Sequence, residues 1–495
     1  MGQNNRVLPG VAVNEVGAGI PGSPGARALL GALIGKFADG DENEFTLCSS
    51  ENVLRDFGGL VFGSAAFDAA EYFKRGPNLL WVCRVKGTAS SVTVKDQQTP
   101  TPADKMKVEA KVDGTWADYA AGPPAAGVLA TVAAGTLTGT FKLTITAYYT
   151  EKDGSESTTE VFDNLSLDDE SPRYFGTYVT AVSKIVTVTD LAPASQAEAN
   201  LPATGDKALA GGAEPDYDDG ITALDSVRGR VVLFTDQDDD EVNTALIEAI
   251  VARSQSDGAG TISADAGIVA LNAPQYTAVA DLASYATGIT EPRAKVMGPW
   301  LLLRDSLVNA SRYMRPAAIY AGLRAKVEEY HSCLNRYVTG VLGVELDLTR
   351  GDLTTLLQAG CQLIYAWPDD ESRGMRVLND IQADGSDTFV RLTRDKDAAA
   401  HLARLGWVPG QHQGETDPDP TRIAAKGTMA AYYDDLLARG VVERYTVKCD
   451  AENNTAETIA AKELHVRTEA KYRDVVETVS VDLTVGTESA IARAD

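Results

Sequence analysis

Between Val475 and Val485 the chain reads V-V-E-T-V-S-V-D-L-T-V, and from Val479 onward it alternates strictly. Val479, Val481, Leu483 and Val485 fall on one face; Ser480, Asp482 and Thr484 fall on the other. A period of two predicts a half-buried strand. Such a strand needs a sheet edge, in its own domain or in a neighbour's. A second, shorter alternation stands near the start, where Val7, Pro9, Val11 and Val13 occupy every second position and Val16 follows. Gly17, Gly19, Pro21, Gly22, Pro24 and Gly25 come next. This pattern predicts an extended arm on a hinge, or a strand paired within its own domain. At about 3.3 Å per residue, ~15 such residues reach ~50 Å.

Between these runs the pattern changes period several times. Ala28–Phe37 predicts a strand, Ser50–Phe57 a helix with Ser49 or Ser50 as N-cap, Ser64–Lys74 a helix and Leu79–Val85 a strand. From Ser90 the chain turns rich in Thr, Val and Ala, with turn signals at Asp113-Gly114, Gly122-Pro123-Pro124 and Asp153-Gly154. Short alternating runs such as Thr140–Tyr149 predict a β-sandwich or barrel inserted into the αβ pattern. That pattern resumes with strands at Val231–Phe234, Gly267–Leu271 and Ala294–Leu303, and helices built on Val242, Leu246 and Ile250 and over Tyr276–Tyr285. Strands alternating with helices across short connections predict a largely parallel sheet. Further on, Thr421–Arg439 predicts a long helix ending at Gly440, followed by strands at Val441–Cys449 and Glu463–Thr468 and a polar link over Ala470–Arg473.

The fold class that follows is α/β and α+β multidomain, a mixed-sheet core with an inserted β-domain, a C-terminal α+β domain and extended terminal arms. The divisions fall at 1–22 for the N-terminal arm, 23–89 with 200–345 for the core and 90–199 for the insertion. The C-terminal domain takes 346–473 and the C-terminal arm 474–495.

Charge narrows the function. A formal net charge of −25 over 495 residues keeps the chain soluble and repels a phosphate backbone, so no nucleic acid partner is expected. No apolar run reaches the roughly 18 residues of a membrane span, and Met1–Arg6 lacks the basic-then-apolar pattern of a secretory signal. The product is expected to stay in the cytoplasm where it is made, without membrane insertion.

The chemistry of enzymes is hard to assemble from these residues. Asp236, Asp238 and Asp240 have the first three ligand spacings of a calcium loop, but Glu241 stands where the turn glycine belongs and Ile247 where a bidentate Glu belongs. They are better read as carboxylates gathered at a helix N-terminus. Gly427-Thr-Met-Ala430 is similar to a subtilisin nucleophile turn without its serine. Cys333 and His331, the close Cys–His pair, would diverge on a helix. Neither a P-loop nor a convincing dinucleotide fingerprint is present. No catalytic residue, metal or cofactor is expected. Cys48, Cys83, Cys333, Cys361 and Cys449 read either as reduced buried thiols or as intersubunit disulfides formed after release into an oxidising medium.

Several segments in order resemble the contractile tail sheath proteins of bacteriophages and related injection machines. Pro9-Gly-Val-Ala-Val-Asn-Glu-Val16 is similar to that family's opening P-G-V-x-V-x-E-V. Gly35–Gly40, Phe57-Gly58 and Phe73–Gly76 through Trp81–Val85 follow in the family's order. Ala321-Gly-Leu323, Asn335 and Gly340–Gly343 resemble its next block, with Leu334 where proline is usual. Gly374–Asn379, Phe389-Val-Arg391, and Val447-Lys-Cys-Asp450 with Asn454-Thr455 and Ile459 resemble its closing signatures.

The resemblance implies a non-enzymatic subunit that stacks as hexameric rings around a tail tube and contracts to drive the tube through a host envelope. It implies partners in further copies of itself, the tail tube protein, and baseplate and tail terminator proteins, in a virion tail assembled in the host cytoplasm. It implies that Val11, Val13 and Val16 of one arm, and Val479, Val481, Leu483 and Val485 of the other, exchange strands between subunits. Contact with the tube would come from the C-terminal domain, where Arg422, Lys426 and Arg439 of the long helix could serve or could equally form a solvated face. The other readings are an S-layer-like self-assembling surface protein and, further off, a subtilisin-like α/β enzyme.

Overall fold

The structure, a computed structural model, describes residues 29–473 apart from 123–124, 152–153, 257–260, 277, 309, 368–369, 406–417 and 461–463. Both alternating runs that open the sequence reading, with Val11, Val13, Val16, Val479, Val481, Leu483 and Val485, lie outside the described residues. The chain divides into two compact bodies, one over 29–329 and 335–400, the other over 330–334 and the described part of 401–473.

The larger body is organised on strand β1 (Leu30–Lys36), six of whose seven residues are buried. A strand this apolar on both faces belongs inside a parallel sheet covered by helices. After it come β2 (Phe45–Cys48), helices α1 (Ser50–Asp56) and α2 (Ala66–Lys74), and β3 (Leu80–Val85). The Ser49 hydroxyl caps α1 by accepting from the Asn52 amide.

Seven more strands and one helix then build antiparallel structure before the parallel sheet resumes. Strand β5 (Asp104–Ala110) pairs with β4 (Ser91–Lys95) on one side and β9 (Val186–Asp190) on the other. The long hairpin of β7 (Phe141–Glu151) and β8 (Gly154–Leu165) extends through β6 (Gly127–Ala134) to β10 (Gly205–Ala208). Bridges Ser91↔Ala210 and Asp96↔Pro202 tie the two sheets together along β4. Helix α3 (Phe175–Val182) buries Phe175 and Val179 in their common core, beside Phe141, Leu143 and Val186.

The chain returns to the parallel sheet through α4 (Tyr217–Thr222) and β11 (Val231–Thr235), all five of whose residues are buried. Helix α5 (Asp240–Ser254), a two-residue pair β12 (Gln255–Ser256) and β13 (Thr261–Ile262), β14 (Ile268–Asn272), α6 (Val279–Gly288) and β15 (Ala294–Met297) follow. The strand expected over Ala294–Leu303 is in fact two. Pro299 has no amide to give to a ladder, and the chain leaves the parallel sheet there. It restarts as β16 (Leu301–Asp305) in an antiparallel sheet between β17 (Ala310–Met314) and β18 (Val341–Val344). Helix α7 (Ala317–Lys326) and helix α8 (Arg350–Gln358) flank β18 in sequence. Strand β19 (Cys361–Gln362) completes a seven-stranded sheet in the order β19-β15-β14-β11-β1-β3-β2, parallel throughout except at β2. The hairpin β20 (Ile364–Trp367) and β21 (Asp370–Val377) and helix α9 (Thr388–Leu405) follow.

Helix α10 (Pro418–Ala438) is the long helix of the smaller body. Its buried Ala425, Met429, Tyr432, Tyr433 and Leu436 recur at helical spacing and face the hairpin of β22 (Val442–Lys448) and β23 (Arg467–Tyr472). Gly440 sits at φ +70° and closes the helix: its amide reaches the Leu437 carbonyl, and the Val441 amide reaches Leu436. The strand expected at Glu463–Thr468 begins later, at Arg467. Asn454 is the reason, because its amide side chain donates to the His465 carbonyl (2.9 Å) and accepts from the His465 amide (2.7 Å). Those backbone groups are thereby withdrawn from a ladder. The expected polar link over Ala470–Arg473 is mostly strand too, since Ala470 pairs with Tyr445 and Lys471 with Arg444. The short helix α11 (Ala456–Ala460) lies between the two strands in sequence.

Candidate functional site

In a parallel α/β sheet, ligands settle outside the carboxyl ends of the strands, where the strand order reverses. Here the reversal falls between β1 and β11, whose last residues lead to Lys36 and Asp236. Gly35 lets this point be crowded: a Cβ there would stand 2.5 Å from the Ala65 Cβ and 3.0 Å from Asp236 Oδ1. The Asp236 carboxylate accepts from the Tyr217 hydroxyl at 2.6 Å and from the Lys36 amide at 3.3 Å. Burial, and then the Asp236 charge, push the Tyr217 phenol well above its ordinary value. Asn272, at the end of β14, spends its amide on the carbonyls of Thr235 and Gln237 and its carbonyl on the Ala317 amide that opens α7.

Arg315 covers the same crest. Its guanidinium donates to Asp238 at 2.8 and 3.1 Å and lies 4.9 Å over the Trp300 ring. Burial works against its charge, but Asp238 prevails and its pKa is raised. Asp68 stands nearby. Burial and the Asp236 charge raise its carboxyl to about 7, against a smaller opposing pull from Arg315. The crest is therefore filled by partners from its own chain. Of the acidic trio expected at a helix N-terminus, only Asp240 lies in the first turn of α5. The cap itself is Asp239, whose Oδ1 accepts from Glu241 and Val242, while Asp236 and Asp238 serve the crest.

The other singled-out residues are dispersed. Among the described residues no group of three His, Cys, Asp or Glu is placed to hold a metal ion. His331 is exposed and Cys333 buried, and neither is in a helix. Gly427 lies inside α10, a setting unlike a nucleophile turn. Cys48, Cys83, Cys333, Cys361 and Cys449 are each buried within the subunit. Burial raises the thiols of Cys48 to about 11 and of Cys83 and Cys361 to about 12. A thiol so placed is a poor nucleophile.

On α10, Arg422 and Lys426 stand one turn apart, and both positive charges act on the Cys449 thiol. Arg439 is about 20 Å further along the helix. It pairs with Asp435 at 3.7 Å and lies over the Tyr330 ring, whose hydroxyl it also meets. Arg422 and Lys426 are thus neighbours on the helix, and Arg439 is engaged locally with Asp435 and Tyr330. Sequence reasoning missed the Arg315, Trp300 and Asp68 cluster, in which Asp68 lies over 200 residues from the other two in sequence. Asn454 was visible only as part of a motif, beside Thr455.

What the fold defines as a class is a multi-sheet α/β protein with antiparallel sheets set between its parallel strands and a crest closed by side chains. Residues 210–382 match the family model described as the phage tail sheath protein central domain. No curated protein matches. Among solved structures, the contracted helical sheath of the anti-feeding prophage is similar with a TM-score of 0.52 and 13% identity, over 97% of this chain and 99% of that one. A chain of the same particle's baseplate is similar with a TM-score of 0.51, 13% identity and the same coverage. A sheath tail protein from Desulfitobacterium hafniense has a TM-score of 0.47 and 14% identity over 90% of this chain and 94% of that chain. The resemblance read from the sequence is thus shown: residues 210–382 carry the sheath central domain, in a chain with the fold of the anti-feeding prophage sheath protein.

Proposed function

We propose that this chain is a structural subunit of a contractile tail sheath. The observation that carries the reading is the match of nearly the whole chain to a contracted helical sheath, together with the sheath central domain at 210–382. The filled crest supports it, since Tyr217 donates to Asp236, Arg315 donates to Asp238, and Asn272 accepts from the Ala317 amide where an α/β enzyme would hold its substrate.

In this reading copies stack as hexameric rings around a tail tube, next to baseplate and terminator proteins, in a virion tail assembled in the host cytoplasm. The arms carrying Val11, Val13 and Val16, and Val479, Val481, Leu483 and Val485, add strands to neighbouring copies. Strand addition supplies backbone hydrogen bonds whose geometry depends little on how the joined bodies are turned. Subunits could therefore re-pack during contraction without losing their links. The smaller body faces the tube, with Arg422 and Lys426 as the contact pair and Arg439 as a more distant addition.

Negative-stain microscopy of the purified protein tests the proposal. Striated hollow tubes or six-fold rings are expected. A persistent monomer at high concentration would overturn it.

A further inference from the structure

A polar cleft lies between α5 and α6, lined by Asp240, Asn243 and Ile247 from α5, by Asp281 and Tyr285 from α6, and by Tyr276. Asp240 and Asp281 each lie in the first turn of their helices and are exposed. The two tyrosine rings stand 6.0 Å apart, tilted by 51°. Burial raises the Tyr276 phenol, and Asp240, Asp281 and Asp238 push it in the same direction, so negative charge converges on this aromatic wall.

One lining residue keeps an unpaired acceptor. Asn243 is 2% exposed and donates through Nδ2 to the Asn272 carbonyl at 3.0 Å and the Tyr285 hydroxyl at 2.8 Å. Its Oδ1 is buried with no hydrogen-bond partner. A buried acceptor left unpaired is unfavourable, and a ligand able to donate to it would recover that cost. Exposed carboxylates, two aromatic rings and an unpaired acceptor among the lining residues all favour the same visitor: a cation with N–H donors on an apolar stem.

The source of that cation follows from the charge along the chain. Residues 418–473 carry nine Lys and Arg against nine Asp and Glu, so the whole net charge of −25 lies on the remainder. When copies of so acidic a chain meet, contact between acidic surfaces is repulsive. The balanced segment lets its lysines and arginines approach the cleft of another copy at less cost than the acidic remainder taken as a whole. Lys426 is exposed there, and so are Arg444, Arg467 and Lys471.

We propose that the cleft between α5 and α6 receives a lysine or arginine side chain from residues 418–473 of a second copy of this chain, seated between Asp240, Asp281 and the Tyr276 and Tyr285 rings. This rests on the sheath reading. It adds a charge-reading contact between copies that is separate from strand exchange by the arms.

The test compares wild type with Asp240→Asn/Asp281→Asn and with Asp281→Lys, all confirmed as folded by circular dichroism. Polymer is followed by sedimentation across protein and salt concentrations. Wild type should polymerise. The double variant should need about tenfold more protein and show a flatter salt dependence, and Asp281→Lys should need more still. In a polymer of mixed isotope-labelled and unlabelled wild type, a carbodiimide should join the tryptic peptide 231–253 or 254–293 of one copy to a lysine in 418–473 of another. If the variants polymerise at the wild-type concentration with the wild-type salt dependence, the cleft does not hold an intersubunit cation. If wild type itself stays monomeric, the sheath reading fails, and this inference with it.

Discussion

Asp68 and Glu329 are carboxylates drawn in opposite directions by their surroundings. At Asp68, burial and the Asp236 charge raise the carboxyl to about 7. Because that lies above the unfolded value, folding favours the protonated form, and the group costs stability increasingly as pH rises from about 4 to 7. Asp68→Asn should therefore stabilise the protein at pH 8, by roughly 2 kcal/mol, and by much less at pH 4.5. Urea midpoints at the two pH values check this. At Glu329 burial pushes the same way, but Arg230 and Lys396 outweigh it and hold the carboxyl at about 2. Its contribution is present above about pH 4.5 and is lost as pH falls towards 2. Glu329→Gln leaves Arg230 and Lys396 facing a neutral group and should cost about 3–5 kcal/mol at pH 7, read from the same denaturation curves. The cysteines give a third check. A thiol reagent should find almost no reactive group in the native subunit and all five in denaturant.

At the scale of elements, glycines set how closely the helices pack. In α7, eight consecutive residues from Ala317 to Arg324 are buried. Gly322 makes this possible, because a Cβ there would stand 2.5 Å from the Tyr72 carbonyl oxygen and 2.9 Å from the Arg75 Cβ, next to the end of α2. Gly322→Ala should force these helices apart and cost about 1–3 kcal/mol. Gly440 has the opposite character. Its surroundings are open, the nearest atoms being those of Arg473 at 3.8 Å, but its φ of +70° disfavours any side chain. Gly440→Ala should cost only about 1 kcal/mol, through backbone strain alone. Thermal unfolding of the two variants separates crowding from conformation.

At the scale of the whole molecule the predictions concern assembly. In the sheath reading, removal of Met1–Gly19 or of Val475–Asp495 takes away a strand that joins copies while leaving each described core intact. Either truncation should abolish tubes in negative stain and leave the far-UV spectrum and the thermal midpoint of the monomer close to wild type. Truncated chains that polymerise as the full chain does would show that the arms are not the links.

The order of α/β elements was legible in sequence because buried parallel strands and amphipathic helices write their periods locally. Leu30–Lys36, Val231–Thr235 and α10 with its Gly440 stop were all readable in that way. The end of the 294–303 strand at Pro299 also has a local cause, one that the run of apolar residues around it masks. The later start of β23 was not legible, because it depends on Asn454 reaching across to His465. Nor was the closing of the crest, where Asp68, Asp236, Arg315 and Trp300 meet only once the strands are stacked. The burial of all five cysteines within the subunit was likewise not written in their spacing. The alternating run at Val475–Val485 remains what its sequence makes it, a strand pattern seeking an edge. Period is a property of neighbours along the chain, so sequence alone determines it. Pairing, burial and charge compensation belong to residues far apart in the chain, and only the tertiary structure decides them.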